Sequence, residues 1–246
     1  MASKTVRSLV IVPTYNEREN LPIILGKIFD SVPDTHVLVI DDNSPDGTGA
    51  LADDLARKDK RVQVMHRTEK NGLGPAYIAG FTWALNNKYD VIIEMDADGS
   101  HPAEKLPALI EAVSKPGGAG LAVGSRWVPG GSVVNWPLYR KLISQGGSWY
   151  ARTMLSMPVR DVTAGFVAFN ANVLRQINLS SVDSQGYCFQ IDLKRRVFEG
   201  NYGIVEVPIT FRERELGVSK MSSSIVVEAM GRVTVWGLQK RFGKKH

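Results

Sequence analysis

The stretch VIIEMDAD, residues 91–98, decides how the rest of the chain is interpreted. Residues 91–95 are mostly apolar and predict a short buried strand, which runs directly into the triplet Asp96-Ala97-Asp98. Open parallel sheets bind ligands beyond the carboxyl ends of their strands. Adjacent carboxylates repel each other there, and Mg²⁺ or Mn²⁺ would neutralise them and bridge to substrate phosphates. Taken alone, the triplet also fits a strand end that merely caps the next helix, so the surrounding sequence has to decide.

Strands and helices alternate on both sides of this triplet. Apolar runs predict further strands at residues 8–12, 37–40, 62–66, 120–124, 165–170 and 203–207. Helical spacing predicts helices at residues 21–29, 50–58, 74–86, 103–114, 138–157 and 186–199, the first with Asn20 as its cap. The alternation predicts an α/β fold in which helices cover both faces of a mostly parallel sheet. Residues 126–135, which include two glycines and a proline, interrupt it.

The composition is that of a single globular domain. The chain has 246 residues, 43% hydrophobic and 22% charged, without a repeat or low-complexity linker. No apolar run reaches the ~18 residues of a spanning helix, and a polar start without a signal region predicts cytosolic synthesis. Cys188 is the only cysteine, which excludes an intramolecular disulfide. A net charge of +5 favours anionic partners and leaves nucleotides, phospholipid headgroups and nucleic acid open.

Several motifs occur in an informative order. They are VPTYNE (residues 12–17), DDNS (41–44), GLG (72–74), DAD (96–98), GSR (124–126), YRKLIS (139–144), DVTAGF (161–166), GYCFQID (186–192) and RELGVSK (214–220). This set resembles glycosyltransferase family 2, which has a nucleotide-binding, Rossmann-like A-type fold. Within that family it closely resembles the dolichyl- or polyprenyl-phosphate mannosyltransferases. We therefore expect a catalytic domain over residues 1–222, followed by an amphipathic and basic segment over residues 223–246.

The resemblance implies a donor site built from strand ends. It assigns nucleotide-sugar binding to Pro13, Tyr15, Glu17, Asp42, Asp96, Ala97, Asp98, Arg126, Arg214 and Lys220. Asp96 and Asp98 are the implied ligands of Mg²⁺ or Mn²⁺, and Arg214 and Lys220 flank a loop that closes over the diphosphate. Some relatives carry a glutamine ligand where this chain has Ser100. A hydroxyl is a poorer ligand, so water is expected to complete the metal shell.

The resemblance also implies a second phosphate site, for the acceptor. Arg140 and Ser144 lie four positions apart on a predicted helix and therefore share a face. Arginine forks match phosphate oxygens, and the family places Arg126, Arg140 and Ser144 at the lipid phosphate. Asp192, beside Gln190, falls where the wider family has an acidic residue near the reacting centre. A phosphate monoester with a second pKa near ~6 needs no strong base, so we expect Asp192 to orient sugar or acceptor.

The implied reaction transfers mannose from GDP-mannose to a polyprenyl or dolichyl monophosphate, with inversion at the anomeric carbon. A polyprenyl-phosphate glucosyltransferase that uses UDP-glucose is the nearest alternative, because the motifs fix the acceptor better than the sugar. A non-catalytic nucleotide- or nucleic-acid-binding protein is a remote alternative, suggested by the estimated pI of 9.3. Because that alternative is remote, no nucleic acid is expected among the partners.

A prenyl phosphate acceptor requires contact with a membrane surface. Aromatic and basic residues mix between positions 127 and 157, and residues 225–242 combine helical apolar spacing with a basic end. An ordinary core helix fits either segment equally well. We expect peripheral association with the cytoplasmic face of a membrane, and a separate membrane-anchoring protein, as some family members have, remains open.

Overall fold

The computed structural model describes residues 6–182, 184, 186–213 and 223–242. Its elements in chain order are β1 (Ser8–Thr14), α1 (Asn20–Ser31), β2 (His36–Asp41), α2 (Thr48–Lys58), β3 (Val62–His66), α3 (Leu73–Asn86), β4 (Val91–Glu94), α4 (Leu106–Ser114), β5 (Leu121–Ser125), β6 (Ser132–Val134), α5 (Leu138–Leu155), β7 (Val167–Asn170), α6 (Ala171–Gln176), α7 (Gly186–Glu199), β8 (Ile204–Pro208), β9 (Thr210–Arg212) and α8 (Ser223–Phe242). Single 3-10 turns lie at Ala103–Lys105 and Leu179–Ser181.

Seven strands form the main sheet, in the order β3-β2-β1-β4-β7-β5-β8. All neighbours pair in parallel except β7, which is antiparallel to both β4 and β5. Alternate residues of β1 pack on opposite faces: Leu9 joins the cluster under α3 and α7, and Val10 joins the one under α1 and α4. The predicted α/β fold, with helices on both faces of a mostly parallel sheet, is therefore confirmed.

The structure differs from the sequence-based prediction in several details. The irregular residues 126–135 contain β6, which pairs in parallel with β9 in a separate two-stranded sheet. Neither of these three-residue strands, nor the six-residue α6, was predicted, because such short elements carry no periodic signal. Asn20 is not the cap of α1: Glu19 holds that position, and Asn20 instead donates a hydrogen bond to Glu17.

Helices α5, α7 and α8 pack together around an apolar cluster of their own. Ala151 and Leu155 of α5 and Val233 of α8 are buried in one shared apolar cluster. Gly237 permits the close approach, because a Cβ there would lie 2.9 Å from the carbonyl oxygen of Met154. The segment predicted to follow the catalytic domain therefore packs on it through α8. Among the described residues, no helix is both long and apolar enough to cross a bilayer.

Candidate active site

The strand order creates a crevice between β1 and β4. After β1 the chain builds β2 and β3 on one side, and it then returns to place β4 on the other side of β1. At such a switch point the loops after the two strands diverge and leave room for a ligand. Tyr15 follows β1, Asp42 follows β2 and Asp96 follows β4, so the predicted donor residues lie at one edge of the sheet.

The loops after β1 and β2 are joined by hydrogen bonds. The backbone N–H of Asn16 donates to Ser44 Oγ at 3.1 Å, and that of Glu17 donates to Thr48 Oγ1 at 3.0 Å. Buried Asp41 accepts from Ser44 Oγ at 2.6 Å and from Thr14 Oγ1 at 3.0 Å. Asp41 therefore fixes the walls of the crevice.

The residues predicted to contact the nucleotide lie on these joined loops. Burial raises the pKa of Asp42, although Arg67 opposes this by donating to its carboxylate at 2.7 Å. The Nζ of Lys70 lies 3.6 Å from the ring centroid of Tyr15, so a cation covers this ring in the structure. Pro13 is partly buried at the end of β1. The geometry provides an aromatic ring and carboxylates, which suit a base and ribose hydroxyls.

Asp96 and Asp98 form the acidic pair after β4, and hydrogen bonds hold the pair at Asp96. Tyr77 OH donates to Asp96 Oδ1 at 3.3 Å, and burial raises the pKa of Tyr77 well above its usual value, which keeps it a donor. The backbone N–H of Asp96 donates to His101 Nδ1 at 3.0 Å. That bond leaves the ring proton of a neutral His101 on Nε2. The His101 ring stacks on Phe166, which links the acidic pair to the loop before β7.

The oxygen donors beside the pair fit a hard divalent cation. Ala97 is buried between Asp96 and Asp98, and Asp98 Oδ1 accepts from the backbone N–H of Ser100 at 3.0 Å. The buried Ser100 Oγ has no hydrogen-bond partner among the described residues. The part of the chain that the structure describes contains no group of three or more His, Cys, Asp or Glu side chains placed for a metal. Two carboxylates suffice for Mg²⁺ or Mn²⁺ when water and substrate phosphate supply the other ligands.

Arg126 is held by a buried carboxylate that sequence reasoning left without a role. Asp161 is fully buried and accepts three hydrogen bonds from Arg126. The side-chain Nε and Nη2 of Arg126 donate at 2.7 Å, and the backbone N–H of Arg126 donates at 2.9 Å. Thr163 accepts a further bond from Nη2 at 3.0 Å. Glu206 of β8 in turn accepts from the backbone N–H of Asp161. The sequence contained a signal for this role, because Asp161 is the first residue of the DVTAGF motif.

The three predicted acceptor residues line one cavity. Arg126, Arg140 and Ser144 face a space of about 70 Å³, whose remaining wall is mostly apolar and includes Tyr150 of α5 and Val233 of α8. The guanidinium of Arg140 lies 4.2 Å from the ring centroid of Trp136, and it donates to Glu213. A cationic end and an apolar end therefore share one cavity between α5 and α8.

The remaining predicted site residues are Asp192, Arg214 and Lys220. Asp192 is buried and accepts from Arg195 Nη2 at 2.6 Å, with Arg196 Nε at 3.1 Å, so its described contacts lie on its own helix. They include neither the acidic pair nor the acceptor cavity, and a role near the reacting centre stays a prediction. Arg214 and Lys220 lie outside the described residues.

A second cluster of buried polar side chains, Glu94, Gln190 and Lys194, was not predicted from the sequence. Gln190 of α7 donates to Glu94, the last residue of β4, and Lys194 donates to Gln190 Oε1 at 3.3 Å and to Ala164 O at 2.7 Å. Burial raises the pKa of Glu94 to about 8 and lowers that of Lys194 to about 8. Glu94 interrupts the apolar run of residues 91–95, and this is a signal that could have found it, whereas Lys194 stands in the charged run of residues 192–196 and carries no such signal.

Replacing Lys194 should destabilise the fold. Lys194→Met leaves Ala164 O and Gln190 Oε1 without their donor and Glu94 without its nearby cation, so we expect a loss of about 3 kcal/mol in the free energy of unfolding, measured with urea. The double variant Glu94→Met/Lys194→Met should recover only part of this loss, because it removes the carboxyl group left without a nearby cation but still leaves Ala164 O and the Gln190 side-chain amide without their partners. Equal stability of Lys194→Met and wild type would contradict this assignment.

Fold and site together define an A-type glycosyltransferase: a switch-point crevice, an acidic pair at its β4 side, and a cationic cavity next to it. The family model for glycosyl transferase family 2 matches residues 9–177. The chain belongs to this family, so the resemblance found in the sequence is confirmed and an enzyme is favoured over a non-catalytic binding protein.

Curated relatives and solved structures agree with this assignment. The chain is 56% identical to a polyprenol monophosphomannose synthase of Mycolicibacterium smegmatis, over 98% of this chain and 90% of that protein. It is 56% identical to an undecaprenyl-phosphate mannosyltransferase of Micrococcus luteus, over 96% of each. A mannosyltransferase from Pyrobaculum calidifontis, solved with GDP-Man and Mn²⁺, superposes with a TM-score of 0.60 at 18% identity, over 99% of this chain and 66% of that one, which supports the fold.

Proposed function

We propose that the chain transfers mannose from GDP-mannose to a polyprenyl, dolichyl-type monophosphate, with inversion and with a divalent metal. The observation that carries this is the cavity in which Arg126, Arg140 and Ser144 meet an apolar space between α5 and α8. A phosphate and a hydrocarbon chain are the two parts of a prenyl phosphate. The names of the two relatives that are 56% identical support the same acceptor class and the same sugar.

On the donor side, Tyr15, Glu17 and Asp42 bind the base and ribose in the crevice. Asp96 and Asp98 would hold Mg²⁺ or Mn²⁺, which supplies charge neutralisation for the departing nucleoside diphosphate. Tyr77 keeps the carboxylate of Asp96 oriented through its hydrogen bond. We also assign closure over the diphosphate to Arg214 and Lys220, on the strength of the family resemblance.

On the acceptor side, orientation replaces base catalysis. A prenyl phosphate is largely dianionic at neutral pH, since its second pKa lies near ~6, so its oxygen needs no base to attack the anomeric carbon. Arg126 is fixed by Asp161 and Arg140 is held beside Trp136, so both guanidiniums are positioned before the phosphate arrives. When the phosphate binds, Arg140 exchanges the carboxylate of Glu213 for phosphate oxygens.

The reaction is tested with purified protein, prenyl phosphate and a panel of nucleotide sugars. We expect mannosylated lipid phosphate from GDP-mannose with Mg²⁺ or Mn²⁺, and none after chelation with EDTA. Asp98→Asn should lower kcat about a hundredfold or more, because charge stabilisation by a held metal is worth several kcal/mol. Asp192→Asn should lose less, because its described contacts are with arginines of its own helix.

The controls separate the alternatives. Product from UDP-glucose alone would favour the glucosyltransferase, and no product from GDP-mannose would remove the proposal. A loss at Asp192→Asn equal to or greater than that at Asp98→Asn would return Asp192 to the reacting centre.

Acceptor binding is tested by measuring the KM for prenyl phosphate and the KM for GDP-mannose separately. Arg140→Ala removes a charged donor to the phosphate, so we expect the KM for prenyl phosphate to rise about 10–100-fold while that for GDP-mannose stays within about twofold. Ser144→Ala should have a smaller effect in the same direction. Lys141→Ala, an exposed neighbour on α5, is the matched control and should change neither value. A rise confined to the KM of GDP-mannose would place Arg140 at the donor instead.

We also propose peripheral attachment to the cytoplasmic face of a membrane. Helix α8 has an exposed apolar row beside its packed side, with Val235 51%, Leu238 45% and Phe242 79% exposed, and Lys240 and Arg241 in its last turn. Apolar and basic side chains together suit the boundary between headgroups and acyl chains. A separate anchoring protein could cover the same row.

Flotation with liposomes that contain anionic lipid and prenyl phosphate tests the attachment. Val235→Ser/Leu238→Ser/Phe242→Ser removes the exposed row and keeps the packed side of α8, so we expect at least about tenfold less protein on the vesicles. Ile23→Ser, at an exposed apolar position on α1, is the control and should float like wild type. If wild type itself fails to float, the attachment is wrong.

A further inference from the structure

A second cleft, of about 290 Å³, lies against helix α5 outside the acceptor cavity. Its walls are Trp127, Gln145, Trp149, Arg152 and Arg160. Its volume is close to the lower end of the ~300–1,000 Å³ typical of small-molecule sites.

Helix geometry separates this cleft from the acceptor cavity. Positions 140, 144, 147 and 151 of α5 line the acceptor cavity, whereas positions 145, 149 and 152 line the second cleft. At 3.6 residues per turn these two sets lie on nearly opposite sides of the helix. The second cleft is therefore a separate site, which the proposed transfer reaction does not use.

The cleft is lined by hydrogen-bond donors and contains no acid. The guanidiniums of Arg152 and Arg160 form no ion pair or side-chain hydrogen bond within the described part of the chain. The buried Nε1 of Trp127 also lacks an acceptor there. Each guanidinium brings five N–H donors in a planar fork that matches phosphate oxygens. The chemistry that satisfies these groups is a phosphate.

The surroundings favour a phosphate carried by a lipid. Leu138, Leu142 and Trp149 follow one another along the same side of α5, and they are 71%, 59% and 66% exposed. Tryptophan and arginine beside exposed apolar side chains suit the depth of lipid headgroups, where an indole keeps one end apolar and the other wet. A free anion would explain the arginines but not this apolar row.

We infer that the cleft of Trp127, Gln145, Trp149, Arg152 and Arg160 binds the phosphodiester headgroup of an anionic membrane phospholipid. The bound headgroup holds α5 at the bilayer surface, and the same helix lines the acceptor cavity. This inference rests on the peripheral attachment proposed above, and it adds a defined lipid site to it.

The test compares flotation on phosphatidylcholine vesicles with and without phosphatidylglycerol. Arg152→Ala/Arg160→Ala should lower the partition coefficient on anionic vesicles about 300-fold, with about 30-fold from the loss of two charges near an anionic surface and a further factor of about ten from the loss of the planar forks. Arg152→Lys/Arg160→Lys keeps the charge but loses the planar forks, and we expect it to lose about tenfold. Lys58→Ala/Lys60→Ala removes the same charge from exposed positions at the end of α2 and should change nothing.

Turnover of a short-chain, water-soluble prenyl phosphate without vesicles separates this site from the reaction. Both arginine variants should retain wild-type turnover within about twofold, so a failed reaction and a failed lipid site give different results. Wild-type flotation by the lysine variant would reduce the site to diffuse charge and overturn the inference. The inference would also fail if the alanine variant lost the binding of inorganic phosphate but floated like wild type, because the cleft would then bind a free anion. A shift of that variant to a smaller oligomer in gel filtration, with flotation intact, would assign the face to a second copy instead.

Discussion

The buried pair of Arg126 and Asp161 is the contact on which the acceptor half of the molecule depends. Taking two charges out of water costs several kcal/mol for each ion, and the attraction offsets this only when the geometry is good and the remaining lone pairs are satisfied. Here three N–H groups of Arg126 bond to one carboxylate, and Glu206 holds the backbone of Asp161. The guanidinium therefore has a fixed orientation at the wall of the acceptor cavity.

The loop that begins at Asp161 also reaches the donor half. Its carbonyl at Ala164 accepts from Lys194, and its last residue, Phe166, stacks on the His101 ring that accepts from the backbone of Asp96. One short loop thus lines the cationic cavity through Thr163 and is linked to the acidic pair through His101. Because bond formation requires donor and acceptor at a set separation, a loop held at both ends by buried groups is a suitable spacer.

Much of this architecture could be predicted from the sequence, and the exceptions have physical causes. Strand ends could be located because apolar runs that stop at acids are strong local signals, so the positions of Asp42 and Asp96 were predicted correctly. The antiparallel direction of β7 could not, because a buried strand has the same pattern in either direction. The pairing of Asp161 with Arg126 joins residues 35 positions apart, and no local spacing reveals such a contact. Asp192 shows the converse: its position in a motif suggested chemistry, while local i,i+3 and i,i+4 arginines bind its carboxylate.

Helix α5 contains two interior glycines, and the acceptor cavity accounts for one of them, Gly147. Gly146 and Gly147 lie inside it, and each glycine in a helix interior is destabilising by about 0.5–1 kcal/mol relative to alanine. Among the described residues, a Cβ at Gly147 would meet no atom within 4 Å, because the space beside it is the acceptor cavity that Gly147 lines. A larger side chain at this position would take up part of the cavity. The helix can tolerate the loss because Ala151 and Leu155, one and two turns further on, are buried against α8. The packing of the last two turns thus stabilises a helix whose middle is kept narrow for a ligand.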